Sequence, residues 1–167
     1  MRKVAIFIAA GTGMGADAAK YLSSKGYDIG IMSSSGKGEK LAKSLNGVGY
    51  TGSNLLKKDI DNFINKVIKK FGRVDVLINS AGHGPKGQIL EISDEEWIKG
   101  MEIYFLNVVR ALRLITPIMQ KQKSGSIINI STFAAFEPDS NFPTSGVFRS
   151  GLASFTKLYS NKYAKDN

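Results

Sequence analysis

The sequence predicts an α/β fold, a doubly wound parallel sheet of about five strands with helices on both faces. Short apolar segments rich in β-branched residues alternate with segments whose apolar residues recur at helical spacing. A glycine-rich loop joins the first predicted strand to the first predicted helix, as in folds of this class. The 167 residues are 43% hydrophobic, so we expect residues 1–167 to form one domain with a substantial core.

The strands are predicted from short apolar runs bounded by glycine or polar residues. The first run, KVAIFIA, is apolar almost throughout, which is typical of a parallel strand buried on both faces. The run GVGYTG is the weakest of the five predictions. The predicted strands cover residues 3–9, 27–33, 47–52, 73–79 and 125–131.

The helices are predicted from apolar residues that recur every three or four positions. The third helix shows the pattern most clearly, with apolar residues at 60, 63, 64, 67, 68 and 71. Ser93 and Glu96 form an S-x-x-E capping box that marks the start of a long fourth helix. The predicted helices cover residues 16–26, 38–46, 57–72, 93–122 and 145–163.

The net charge of +9 raises two alternatives, a nucleic-acid partner and a phosphate-bearing small molecule. The lysines are spread over the polar sides and ends of predicted helices, without a cluster of aromatic and basic residues. We therefore predict no nucleic-acid partner. No apolar run reaches the ~18–20 residues of a membrane helix, so no membrane contact is predicted either. The chain has no cysteine, which is compatible with a cytoplasmic location, and no metal site is predicted.

The glycine loop AAGTGMGADAAK is the first candidate site. Gly11, Gly13 and Ala16 spell G-x-G-x-x-A directly after a strand and at the start of a helix. The free N–H groups at a helix start bind the pyrophosphate of a dinucleotide. We therefore predict that Gly11, Gly13, Met14 and Gly15 bind a nicotinamide cofactor; the alternative is a plain strand-to-helix turn.

The end of the second strand bears on the choice between NADP and NAD. A dinucleotide site for NAD places a carboxylate there, against the ribose. This chain has Ser33, Ser34 and Ser35 at that point, followed by Lys37. A 2′-phosphate is accommodated better by hydroxyls and a lysine than by a carboxylate, so NADP is preferred over NAD. Ser33 and Ser34 are the predicted contacts of this phosphate.

Two further segments complete a family pattern. VDVLINSAG (74–82) resembles V-D-x-L-V-N-N-A-G, and GSIINIST (125–132) resembles G-x-I-V-N-I-S-S. With the glycine loop, the chain resembles the short-chain dehydrogenase/reductase family, which has an NAD(P)-binding Rossmann fold. It departs from the family pattern at Ile8 and Ala9, which replace T-G, and at Ser80, which replaces the second Asn. The resemblance implies further cofactor-binding residues: Asn79, Ala81, Gly82, Ser53 and Asn54.

The resemblance also implies the catalytic positions. Family members use Asn, Ser, Tyr and Lys, with Tyr as the acid/base and Lys lowering its pKa and holding the nicotinamide ribose. These positions fall on Asn107, Thr132, Ser145 and Arg149 in this chain. Ser145 is a poor proton donor, because an aliphatic hydroxyl titrates far above neutral pH. Arg149 can still donate hydrogen bonds to ribose hydroxyls, so we expect it to retain cofactor binding.

Two other residues are weighed as substitutes for the missing tyrosine. His83 follows the N-S-A-G motif directly, and histidine titrates in a useful range. A loop residue without a special task is the alternative for His83. Tyr104 lies one turn before Asn107 and could share its face of the helix, although packing in the core or at an interface is favoured for it.

These observations lead to two functional hypotheses. The first is an NAD(P)-dependent oxidoreductase acting on a small carbonyl or alcohol substrate. The second is a catalytically impaired dinucleotide-binding protein that serves as a sensor or partner subunit. By comparison with the family, the chain is expected to be C-terminally truncated and to lack the usual last strands and substrate segment. A homo-oligomer, a dimer or tetramer through the 93–122 and 145–163 helices, is also expected.

Overall fold

Five parallel strands form a single sheet in the structure, a computed structural model that describes residues 2–167. They are β1 (Val4–Ile8), β2 (Asp28–Ser33), β3 (Val48–Thr51), β4 (Val76–Asn79) and β5 (Ser126–Asn129). Their order across the sheet is β3-β2-β1-β4-β5. The chain therefore extends the sheet from β1 first in one direction and then in the other. Ligands bind at such a reversal point, outside the carboxyl ends of the strands.

Six α-helices connect and follow the strands. They are α1 (Gly13–Ser24), α2 (Lys37–Ser44), α3 (Lys57–Phe71), α4 (Asp94–Met101), α5 (Asn107–Gln122) and α6 (Pro143–Tyr163). The capping box of Ser93 and Glu96 is present at the start of α4. The long helix predicted at 93–122 is continuous, but a π-helical turn at Glu102–Leu106 separates α4 from α5. Short 3-10 turns occupy Phe133–Ala135 and Ala164–Asp166.

Helices cover both faces of the sheet, as predicted. All five residues of β1 are fully buried, and successive side chains of a strand point to opposite faces. Val4, Ile6 and Ile8 belong to a core cluster with residues of α3, α5 and α6. Ala5 and Phe7 belong to a second cluster with residues of α1, α2 and β2. The predicted α/β class and the doubly wound parallel arrangement are confirmed.

The strand predicted at 73–79 begins later, at Val76. Just before this strand, Arg73 and Asp75 form an ion pair in which Arg73 Nη2 lies 2.6 Å from Asp75 Oδ1. Asp75 also accepts a 2.8 Å hydrogen bond from the backbone N–H of Val4. The backbone N–H of Asp75 also donates a 2.8 Å hydrogen bond to the carbonyl of Val4, so both the side chain and the backbone of Asp75 attach the start of β4 to β1.

The outer edge of β5 has no neighbouring strand among residues 2–167. Ile128 in this strand is 50% exposed. Beside the edge, between α5, β5 and α6, lies a cavity of about 310 Å³ with Phe155, Tyr159 and Tyr163 in its wall. Burial raises the pKa of Tyr159, and its 2.7 Å hydrogen bond with Thr116 opposes part of that shift. In the part of the chain that the structure describes, no helix is long and apolar enough to cross a membrane.

Candidate active site

The glycine loop lies between the end of β1 and the start of α1, where it brings backbone close to two neighbouring segments. A Cβ on Gly15 would lie 2.7 Å from the Cβ of Ala10, and one on Gly11 would lie 2.9 Å from Ser33 Oγ. Gly13 has a φ of +62° and would direct a Cβ into open space. Gly15 and Gly11 therefore permit close packing, whereas Gly13 permits the turn itself.

The start of α1 is well suited to an anion. Its N-cap residue, Thr12, makes no side-chain capping hydrogen bond, and its first turn contains no acidic residue. The first N–H groups of a helix have no intrahelical partner and carry partial positive charge. These groups are therefore available to a phosphate at the point where the glycine loop is most open.

A first cavity, of about 300 Å³, lies beyond the ends of β2 and β3; we call it the β2-side cavity. Ser33 is buried there, and its Oγ accepts a 2.9 Å hydrogen bond from the N–H of Gly38. Ser34 is exposed. Ser53 donates its N–H to Asp59 at 2.8 Å, which orders this part of the wall. The predicted residues in this wall are Gly11, Ser33, Ser34, Ser53, Asn54 and Gly82.

A second cavity, of about 350 Å³, lies beyond the ends of β4 and β5; we call it the β4-side cavity. Gly82 and His83 line both cavities, so the two meet at the end of the N-S-A-G motif. Thr12 lines the first and Met14 the second, so the glycine loop also runs between them. The predicted residues in the second wall are Met14, Ala81, Gly82, Thr132, Ser145 and Arg149.

Thr132 and Ser145 present hydroxyls to the β4-side cavity. Ser145 lies in the first turn of α6, after Pro143, and Thr132 precedes the 3-10 turn that follows β5. Among residues 2–167, neither hydroxyl has a hydrogen-bond partner. Thr144 Oγ1 donates a 2.6 Å hydrogen bond to the carbonyl of Pro85, which fixes the start of α6 against the loop after β4.

Arg149 is 7% exposed, and its guanidinium contacts the backbone on two sides. Nη1 donates to the carbonyl of Ile130, and Nη2 donates to the carbonyl of Ala81 at 3.2 Å. Burial lowers the pKa of Arg149, while Tyr104 acts in the opposite direction. Within residues 2–167 no carboxylate forms an ion pair with it, and its buried Nε has no hydrogen-bond partner. Arg149 thus holds the ends of β4 and β5 together at the cavity wall.

Four predicted residues lie outside both cavity walls: Gly13 and Gly15 of the glycine loop, and the two asparagines Asn79 and Asn107. Asn79 is 3% exposed and its Nδ2 donates to Asn129 Oδ1 at 2.8 Å, so its amide ties β4 to β5. Asn107 is fully buried at the start of α5. Neither atom of its side-chain amide has a partner among the described residues. Motif position alone does not predict that these two amides are buried.

The β4-side cavity has wall residues beyond those predicted as its site. Tyr104 is 4% exposed and comes from the π-helical turn, and Lys86 lies 4.7 Å from the ring centroid of Phe142. His83 is exposed at the junction of the two cavities. The position of Tyr104 one turn before Asn107 indicated that it could belong to the site. Nothing in the local sequence indicates that Phe142 does. Residues 2–167 contain no group of three or more His, Cys, Asp or Glu side chains that could hold a metal ion.

Comparison with known proteins settles the family. The model for the short chain dehydrogenase family matches residues 3–167. The chain belongs to the short chain dehydrogenase family. This is a family of oxidoreductases, and an uncharacterized oxidoreductase of Staphylococcus epidermidis is 28% identical over 98% of this chain and 72% of its own length.

Solved structures of short chain dehydrogenases show the same fold. A 3-ketoacyl-(acyl-carrier-protein) reductase from Brucella melitensis, complexed with NADH, superimposes with a TM-score of 0.91 at 22% identity. That match covers 98% of this chain and 70% of the other. An L-sorbose reductase from Gluconobacter frateurii, complexed with NADPH and L-sorbose, gives a TM-score of 0.90 at 25% identity, over 99% and 66% of the two chains.

Proposed function

We propose that this short chain dehydrogenase is an NAD(P)-dependent oxidoreductase acting on a small carbonyl or alcohol substrate. The observation that carries the proposal is the pair of cavities that meet at Gly82 and His83, with the glycine loop running between them. A dinucleotide needs such a paired site, one half for each nucleoside and an anion-binding helix start at the middle.

The residues present fit the cofactor. The open space at Gly13 leaves room for the pyrophosphate, and the uncapped start of α1 leaves N–H groups free to bind it. The amide of Asn107, buried without a partner in the described chain, fits a group that the protein itself does not supply. Gly11, Gly15, Ser53, Asn54, Asn79, Ala81 and Gly82 remain the proposed surroundings of the cofactor.

We propose that NADP is preferred over NAD. The exposed Ser34 and Ser35 stand at the end of β2, and Lys37 begins α2. Hydroxyls, a lysine and a helix start all favour a phosphate on the adenosine ribose. Ser33 contributes indirectly, because its Oγ is already bonded to the N–H of Gly38.

The β4-side cavity is the proposed substrate site. When bound, a reduced nicotinamide supplies a hydride to the carbonyl carbon of the substrate. The hydroxyls of Thr132 and Ser145, which have no partner among residues 2–167, are available to orient the carbonyl oxygen. Arg149 holds the wall in place and keeps positive charge beside it, since its two terminal nitrogens bind the carbonyls of Ile130 and Ala81.

A catalytically impaired dinucleotide-binding protein is the second candidate. The same contacts of Arg149 favour it, because a guanidinium already bound to two carbonyls has fewer donors left for a ribose. Assembly into a homo-oligomer through α4, α5 and α6 is compatible with both candidates. On α6, Val147 and Leu158 are 54% and 66% exposed, as such a contact would need.

Titration of NADPH and NADH into the purified chain tests these proposals. Nicotinamide fluorescence follows binding, and loss of absorbance follows turnover with acetone, cyclohexanone, ethyl acetoacetate or benzaldehyde. We expect tighter binding of NADPH and oxidation by at least one carbonyl. Binding without any oxidation favours the impaired protein, and binding of neither nucleotide contradicts both candidates. Equal affinity for the two nucleotides would contradict the preference for NADP.

A further inference from the structure

We propose that Tyr104 is the proton donor of the β4-side cavity, a role that rests on the proposed reductase function. Reduction of a carbonyl needs an acid beside the developing alkoxide. The tyrosine comes from the π-helical turn between α4 and α5, not from α6, where the family resemblance places the acid. It shares the cavity wall with Thr132, Ser145 and Arg149.

The hydroxyl of Tyr104 is oriented by a hydrogen bond that does not use its own proton. Its Oη accepts a hydrogen bond from the backbone N–H of Gly84. Among residues 2–167, no acceptor receives the Tyr104 hydroxyl proton. A hydroxyl that accepts from a fixed N–H retains one proton to donate. In a side chain that is 4% exposed and lines the cavity, that proton is available to a substrate oxygen.

The ring of Tyr104 is held on both sides. A Cβ on Gly84 would lie 2.6 Å from Tyr104 Cε2, so the glycine backbone rests directly against the ring. On another side the guanidinium carbon of Arg149 lies 4.7 Å from the ring centroid. A cation at this distance stabilises negative charge that develops on the ring oxygen as the proton leaves. The buried Arg149 therefore acts as a positioning residue for Tyr104.

The other groups in the wall are less suited to the task. Ser145 and Thr132 carry aliphatic hydroxyls, which do not delocalise the charge left behind. His83 is exposed, and no described residue forms a hydrogen bond that would orient its ring. Lys86 is exposed over Phe142. Only Tyr104, of these, is both buried and oriented by a fixed backbone donor.

Proton transfer from Tyr104 accompanies hydride transfer to the substrate. As the carbonyl carbon receives a hydride, the electron pair of the carbonyl π bond moves onto its oxygen. That oxygen forms a bond to the hydroxyl proton of Tyr104, and the Tyr104 O–H bond breaks. The products would be the alcohol, the oxidised nicotinamide that supplied the hydride, and the Tyr104 phenolate, which regains a proton from water. The Gly84 N–H and the Arg149 guanidinium remain beside the phenolate oxygen and ring throughout.

The kinetic test compares Tyr104→Phe with Ser145→Ala, using NADPH and the carbonyl that the wild type reduces best. Loss of a general acid is expected to lower kcat about 100- to 10,000-fold in Tyr104→Phe, with NADPH affinity unchanged. Ser145→Ala should lower kcat by a smaller factor, about tenfold, since it removes an orienting hydroxyl but not the proton donor. Tyr159→Phe is the matched control, because its phenol is also partly buried but lies in a different cavity.

A second readout does not depend on turnover. The protein is isotope-labelled at tyrosine Cζ, and Tyr104→Phe identifies the Tyr104 resonance. We expect that resonance to move when cyclohexanone is added to the complex with oxidised NADP, because the carbonyl accepts the Tyr104 hydroxyl proton. The Tyr159 resonance should stay in place. Where Tyr104→Phe proves unstable by circular dichroism, single replacement of the other five tyrosines by Phe identifies the Tyr104 resonance by elimination, and its shift in the wild type decides the question.

The outcomes separate the two proposals. Turnover that survives Tyr104→Phe, or a Tyr104 resonance that the bound carbonyl leaves unchanged, overturns the proton-donor role and leaves the reductase function standing. A wild type that binds NADPH but reduces none of the probes overturns the reductase function, and the proton-donor role with it.

Discussion

Two residues of this site are unusual: Ala9 in its backbone conformation and Arg149 in its burial. Ala9 has a φ of +61°, in the left-handed region that favours glycine, at the position where the family motif has its first glycine. Arg149 is a buried cation whose terminal nitrogens face backbone carbonyls. The first feature was visible in the sequence as a departure from the motif. The second was not, because the carbonyls of Ile130 and Ala81 come near Arg149 only in the folded chain.

Replacement of Ala9 by Gly should stabilise the protein. A non-glycine residue in the left-handed region costs roughly 1–2 kcal/mol, and the added freedom of glycine in the unfolded chain offsets part of this. We expect a net gain of about 0.5–1 kcal/mol in the free energy of unfolding, measured by urea denaturation. Ala10→Gly is the matched control; Ala10 is fully buried and has no positive φ, so that change should destabilise. A loss of stability in Ala9→Gly would contradict the assignment of strain.

At the scale of elements, the ten predicted strands and helices all occur, with boundaries shifted by a few residues. Their apolar periodicity is strong enough to be read without tertiary information. The π-helical turn at Glu102–Leu106 was not predicted, because one extra residue in a turn leaves the apolar pattern of a long helix nearly unchanged. The attachment of the Asp75 side chain to β1 was missed for another reason, since its partner, the backbone N–H of Val4, is distant in the sequence.

The tie between β4 and β1 predicts a pH dependence of stability. Burial raises the pKa of Asp75, but the hydrogen bonds from Arg73 and Val4 N–H and the charges of Arg73 and Lys3 outweigh it, so the pKa is lowered. A carboxyl with a lowered folded-state pKa contributes stability above its unfolded value of about 3.9, and that stability is lost as pH falls through the folded value.

Asp75→Asn should therefore lower the free energy of unfolding at neutral pH by about 2–3 kcal/mol and flatten its decline below about pH 4. Urea denaturation across the acid range measures both effects. Asp17→Asn is the control, since Asp17 is 76% exposed in a surface pair with Lys20 and should change stability by less than about 0.5 kcal/mol. An unchanged acid dependence in Asp75→Asn would contradict the role assigned to the pair.

At the scale of the whole molecule, the strand order brings distant motifs to one edge of the sheet. The glycine loop, the end of β2, the N-S-A-G motif and the start of α6 meet there because parallel strands end on the same side. The alternation of strands and helices in the sequence is enough to predict that these segments meet. The burial of Asn79 and Asn107 did not follow, because it depends on how β5 and the helices pack around them.

The outer edge of β5, which has no neighbouring strand among residues 2–167, predicts self-association of this chain. An unpaired strand with an exposed apolar residue is a template for pairing with another chain, and Ile128 is 50% exposed there. Ile128→Lys should raise the concentration at which the protein associates, measured by sedimentation velocity, without changing NADPH affinity. Tyr21→Lys is the control, because Tyr21 is 61% exposed on α1, away from the β5 edge and from α4, α5 and α6. Equal effects of the two changes would contradict association through the edge.

The π-helical turn has a further consequence, for insertions and deletions. Each residue of an α-helix advances the chain by about 100° around the axis, so one residue more or less between positions 102 and 106 rotates everything before it relative to α5. Tyr104 would leave the cavity wall although its identity is unchanged. The position of the Tyr104 phenol therefore depends on the number of residues in this turn. A relative with one residue fewer here would need a different proton donor.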